Sequence, residues 1–101
     1  MVRHVILWQM KDEFAPEKRE RIRAEIKEGL EGLQGVIPGI VSIRVITGKL
    51  LPTSNADLML DSAFESVEAL RNYATHPAHL AVADGKVRPF MITRLCLDFE
   101  E

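Results

Sequence analysis

A single cysteine, Cys96, in a chain of 101 residues leaves no partner for an intrachain disulfide, so the fold must rest on packing. Nowhere does the chain hold the ~18 consecutive apolar residues of a membrane span. The N-terminal apolar run is short and interrupted by Arg3 and His4, unlike a signal sequence. Neither sign of charge dominates: 13 Lys and Arg stand against 15 Asp and Glu, intermixed, for a net charge of −2. Without a basic patch, a phosphate-backbone partner is not expected. Together these absences point to a cytoplasmic protein with no membrane and no nucleic-acid partner. Linkers, repeats and low-complexity blocks are missing too, so residues 1–101 are one domain. Side chains able to move protons near neutral pH are scarce, with three histidines and one tyrosine. Two of those histidines and the tyrosine fall within Tyr73-Ala74-Thr75-His76-Pro77-Ala78-His79.

What is present is a 47% hydrophobic complement arranged in clear periods. Residues 2–11 alternate, with large apolar groups on both faces, and predict a strand. Pro16 suits a first helical position, and Ile22, Ile26, Leu30 and Leu33 recur with helical spacing, predicting an amphipathic helix over about 16–34. Ile37-Pro38-Gly39 ends it. The β-branched run 40–46 and residues 56–63 predict two more strands. Ser66 suits the cap of a second helix, with Val67, Leu70 and Ala74 as its buried stripe and Tyr73 at the stripe's edge. Pro77 opens a short extra helix to about residue 84, and 91–99 form the last strand. The order βαββαβ predicts an α+β, ferredoxin-like fold, a four-stranded antiparallel sheet with its helices on one face.

The helix-covered face is expected to hold Val5, Leu7, Val41, Ile43, Val45, Leu58, Leu60, Leu95, Leu97 and Phe99. The other face then carries His4, Ile6, Trp8, Ser42, Arg44, Ile46, Asp57, Met59, Asp61, Ile92, Arg94, Cys96 and Asp98. Such a face is too apolar for bare water and too polar for a simple core. Pairing with a second sheet around a partly wet cavity fits it, so a homodimer is expected.

With Val2-Arg3-His4-Val5 opening the first strand, Ile37-Pro38-Gly39-Ile40, Phe64-Glu65-Ser66, Tyr73 and His76-Pro77-Ala78-His79, the chain resembles the stress-responsive A/B-barrel (Dabb) family over about residues 3–99. The resemblance implies a ferredoxin-like subunit that dimerises sheet against sheet into a dimeric α/β barrel. The same segment is similar to that of a plant polyketide cyclase in the family. There His79 matches the base, Tyr73 the tyrosine and His4 a pocket-lining histidine, while Asp57 stands where that enzyme has a further histidine.

Each of these residues also has a packing reading. His79 as a general base competes with His79 bonding the backbone near a helix start, and Tyr73 as an oxyanion donor with a tyrosine whose hydroxyl stays wet. Trp8 can stack on a planar ligand or fill the core. Ile6, Met59, Arg44, Asp57 and Arg94 are the remaining candidate ligand-binding residues, with cross-sheet ion pairing as the alternative for the charged ones. His76 and His79 lack a third ligand at defined spacing, so no metal is expected there, and no cofactor. The expected function is a homodimer that takes a small apolar or aromatic metabolite into its barrel, with a cofactor-free cyclase-like lyase or isomerase step. The alternatives are a non-catalytic stress-associated dimer, for which these residues only pack, and a haem-degrading or quinol monooxygenase of the same superfamily.

Overall fold

The computed structural model describes all residues, 1–101. Its elements follow the expected order: β1 (Val2–Met10), α1 (Pro16–Glu31), β2 (Ile40–Ile46), β3 (Leu58–Phe64), α2 (Val67–Thr75), α3 (Pro77–Val82) and β4 (Met91–Glu100). The strands form one antiparallel sheet in the order β2-β3-β1-β4, with β1 and β3 inside and β2 and β4 at the edges. This is the ferredoxin-like arrangement.

Local chemistry accounts for the element ends. Pro16 occupies the first turn of α1, where no backbone N–H is missed. The helix stops at Glu31, three residues earlier than the periodicity predicts. Leu33 is still buried, but in a turn that leads to Gly35, whose φ of 83° favours glycine. Ser66 caps α2, its hydroxyl accepting from the Ala69 N–H at 3.0 Å. His76 caps α3 through Nδ1, which accepts from the Ala78 N–H at 3.0 Å. Beyond α3 the chain does not stop before Gly85. It widens into a π-turn over Ala83–Val87 and tightens into a 3-10 turn over Arg88–Phe90.

α1 lies on the sheet through Ile22, Ile26 and Leu30, none more than 3% exposed, and each contributes roughly 1.5–3 kcal/mol by burial. Both ends of the helix are tied. Asp57 accepts from the Met10 N–H at 2.7 Å and from Arg19 at 3.3 Å, with Arg23 at 3.9 Å. At the other end Glu31 accepts from the Val45 N–H at 2.9 Å and from Lys27 at 2.8 Å, while Lys27 also donates to the Val45 carbonyl. These side chains occupy backbone groups of β2 that an exposed edge would offer to another strand.

β1 and β4 present the opposite faces from those expected. Ile43, Val45, Leu58 and Leu60 lie under the helices as expected, but in β1 it is Val2, His4, Ile6, Trp8 and Met10 that are buried with them. Val45 and Ile6 both pair with Leu60, which fixes the phase. His4, Ile6 and Trp8 therefore do not reach the open face, and neither do their β4 partners Asp98, Cys96 and Arg94. The open face instead aligns Leu7 with Leu95, Val5 with Leu97 and Arg3 with Phe99. Leu95 and Leu97 are 63% and 62% exposed. Beside this apolar band, Asp61 pairs with Arg3 and, at 3.4 Å, with Arg44. The cause of the misreading is that β1 is apolar on both sides, so hydrophobicity alone cannot phase it.

Candidate functional site

The helices do not cover the sheet evenly. α1 lies over β2 and the sheet centre, whereas every residue of β4 but Met91 is exposed. Between β1 and β4 below and α2, α3 and the π-turn above, a cavity of about 580 Å³ opens. Its floor is Ile6 and Trp8 from β1, and its roof includes Leu70 from α2 and Val87 from the π-turn. Thirteen of its twenty lining residues are hydrophobic, so polar groups there are few and each matters.

Tyr73, His79 and His4 converge on this cavity. The Tyr73 ring sits 4.3 Å from the His79 ring and 6.1 Å from that of His4, centre to centre, with Phe64 behind it at 4.9 Å. Tyr73 is not at the edge of a stripe but is the buried residue of α2, 1% exposed, while Val67 and Ala74 flank it on the cavity wall. Its hydroxyl is buried and has no hydrogen-bond partner. Burial raises its pKa well above the usual phenol range, so the group remains a donor at neutral pH.

The two histidines have defined tautomers. His79 Nδ1 lies 3.2 Å from the Ala74 carbonyl, which can only accept, so Nδ1 carries the proton and Nε2 keeps a lone pair. Burial lowers the His79 pKa, reinforced by the charges of Arg88, His4 and Arg94 and opposed by the Ala74 carbonyl. At neutral pH the ring is an uncharged base. His4, 7% exposed, is held through Nδ1 by the Asp98 carboxylate, which leaves its Nε2 free as well. The strand beneath is fixed by Ser62, whose buried hydroxyl donates to the His4 carbonyl at 2.6 Å.

The remaining sequence candidates separate. Ile6, Trp8 and Arg94 line the cavity. Arg44 and Met59 lie on the opposite face of the sheet, because each pairs with a residue of open-face phase. Asp57 reaches neither, being held by Arg19, Arg23 and the Met10 N–H at the foot of α1. The cavity that gathers these residues lies between sheet and helices, on the face opposite the one expected to pair with a second sheet. Asp98 and Cys96 lie against His4; the sequence placed them on its face but assigned them no site role, and Cys96 is exposed. Their signal was available in the alternation of β4, which puts Arg94, Cys96 and Asp98 on one face, but their pairing with β1 was not.

The family model for the Stress responsive A/B Barrel Domain matches residues 2–101. Among solved structures, the chain is similar to a dimeric protein of unknown function and ferredoxin-like fold from Bacteroides fragilis, with 29% identity and a TM-score of 0.90 over 99% of this chain and 95% of that one. A Dabb family protein from Mesorhizobium loti shares 18% identity at a TM-score of 0.75, covering 99% and 95% of the two chains. A hydroxynitrile lyase from Passiflora edulis shares 21% identity at a TM-score of 0.73, covering 97% and 90%. No protein of curated function matches the sequence.

Proposed function

The chain belongs to the stress-responsive A/B barrel family, and from that premise we propose that it is a homodimer whose protomers each bind a small, largely apolar carbonyl compound between sheet and helices and move a proton on it without a cofactor. The observation that carries this reading is the Tyr73 hydroxyl, buried and unpaired beside an uncharged His79 on the wall of the cavity. An unpaired buried hydroxyl costs stability, and a substrate oxygen is the partner it lacks.

In the step proposed, His79 Nε2 takes a proton from the carbon next to the carbonyl. The C–H electron pair becomes the enolate double bond, and the charge that develops on oxygen is met by the Tyr73 O–H. His4, oriented by Asp98, stands across the cavity as a second proton carrier. Return of the proton to the far carbon of a conjugated enolate gives isomerisation; attack of the enolate carbon on a second carbonyl, whose oxygen then takes the proton held by His79, gives ring closure. Ile6 and Trp8 supply the apolar floor, and Arg94 at the β4 side suits a polar substituent. That the fold also serves a hydroxynitrile lyase agrees with lyase-type chemistry on it.

Dimerisation is proposed through the open face, where Leu7, Leu95 and Leu97 form an apolar band. It is supported by the dimeric relative from Bacteroides fragilis. The proton transfer is tested without knowing the natural substrate, by following deuterium uptake at the methyl group of acetophenone in heavy water. Wild-type protein is expected to accelerate exchange over buffer, and His79→Ala to lower that acceleration by ~10²- to 10⁴-fold. Bound ketone with no accelerated exchange would leave a binding protein in place of an enzyme.

A further inference from the structure

Beyond the proton-transfer pair, one cluster at the same end of the cavity has chemistry of its own. β1 and β4 pair His4 with Asp98 and Ile6 with Cys96, so His4, Cys96 and Asp98 share one face of two neighbouring strands. The Cys96 Sγ lies 3.7 Å from His4 Nδ1 and 3.5 Å from Asp98 Oδ1, and Nδ1 is hydrogen-bonded to that same oxygen. All three donor atoms fall within 4.8 Å of one another. A tetrahedral zinc ion with Zn–S near 2.3 Å and Zn–N or Zn–O near 2.0–2.2 Å spaces sulfur about 3.5 Å from its nitrogen and oxygen ligands. Both observed sulfur distances are close to that edge length. Nδ1 and Oδ1, joined by a hydrogen bond, stand closer than a tetrahedral N–O edge of ~3.4 Å, so metal binding displaces that proton and parts the two atoms.

We propose that His4 Nδ1, Cys96 Sγ and Asp98 Oδ1 form a three-ligand zinc site whose fourth position opens into the cavity. One nitrogen, one sulfur and one carboxylate oxygen suit borderline zinc and disfavour magnesium or calcium, which take all-oxygen sets. Three protein ligands with one open position is the arrangement of zinc sites that bind a water or a substrate oxygen. A second feature points the same way. The buried Tyr73 hydroxyl has no partner and belongs to the wall of this cavity, its ring 6.1 Å from that of His4. A water or carboxylate oxygen held at the fourth position is an acceptor of the kind that hydroxyl needs. The site takes zinc with an anionic oxygen ligand; it draws on His4 and Asp98, the second proton carrier and its support in the reading above, but leaves the His79–Tyr73 pair free, so that step still needs no metal.

Chelator-treated protein titrated with Co²⁺ tests the site through spectroscopy alone. One cobalt per chain is expected, with tetrahedral visible bands and a thiolate-to-cobalt charge-transfer band in the near ultraviolet, and Zn²⁺ is expected to displace it. Cys96→Ser removes the charge-transfer band. Asp98→Asn weakens binding at least ~10-fold, the lower end of what even indirect ligand support contributes. Both side chains are exposed, so circular dichroism is expected to match the wild type. Absence of the charge-transfer band from wild-type protein overturns the proposal, as does a band that persists in Cys96→Ser.

Discussion

Replacing Tyr73 by phenylalanine separates what the hydroxyl does for the fold from what it does for a ligand. The ring is 1% exposed and packed against Phe64, His79 and His4, and phenylalanine keeps all of that packing. Only the O–H is removed, and that group is buried without a partner. A buried, unpaired hydroxyl carries a desolvation penalty of about 1–3 kcal/mol, so its loss should stabilise the protein by up to that amount. For a domain of this size each kcal/mol shifts Tm by roughly 4–8 °C. The same change removes the only donor proposed to meet the enolate oxygen, which should lower turnover by ~10²- to 10³-fold. Thermal melts at one fixed protomer concentration, since dimerisation links Tm to concentration, and the acetophenone exchange assay report the two effects on one sample. A variant destabilised by more than about 1 kcal/mol would show that the hydroxyl has a structural partner in solution and is not an unpaired donor waiting for a ligand.

Other perturbations test other levels. Leu30, 2% exposed between α1 and the sheet, should cost ~2–5 kcal/mol when changed to alanine, read from denaturant melts; a neutral result would mean the helix does not lie where its stripe indicates. Leu95→Asp should convert a dimer into a monomer in sedimentation, because it puts a charge into the apolar band of the open face, and a dimer that persists would move the interface elsewhere. Because burial lowers the His79 pKa while Arg88, Arg94 and His4 add like charge, kcat/KM should be flat above the ordinary histidine pKa of 6.5 and fall with one ionisation below it. The linked stability has the same sign: the unfolded chain binds the proton more readily, so this group's contribution is complete above 6.5 and is lost as pH falls from there toward the lowered folded value. A profile with a midpoint above 6.5 would contradict the burial of this imidazole.

The element order and most boundaries were legible because they rest on local chemistry. Proline at helix starts, Ser66 as a cap and β-branched runs each act within a few residues. The phase of β1 was not legible. Val5 and Leu7 are as apolar as Ile6, and which set meets the helices depends on pairing with Leu60, a contact between residues more than fifty positions apart. That one inversion moved His4, Trp8 and Arg94 from the open face to the cavity and left Leu97 outside the helix-covered core where it was expected. The Tyr73 to His79 segment drew attention because its residue types are rare in the chain, but the burial of Tyr73 reflects the offset of α2 toward Phe64, which helical spacing alone does not reveal. Asp98 became visible as the partner of His4 only once the antiparallel register of β1 and β4 was fixed.

The ligand is proposed to bind between sheet and helices and not between paired sheets. Isotope-filtered NOE spectra of the labelled protein with an unlabelled aryl β-diketone test it directly. Contacts from the aryl protons to the rings of Trp8, Tyr73 and His79 are predicted, all three of which line the cavity. Contacts to Met59, Leu95 and Leu97 on the opposite face, with none to Tyr73 or His79, would contradict it.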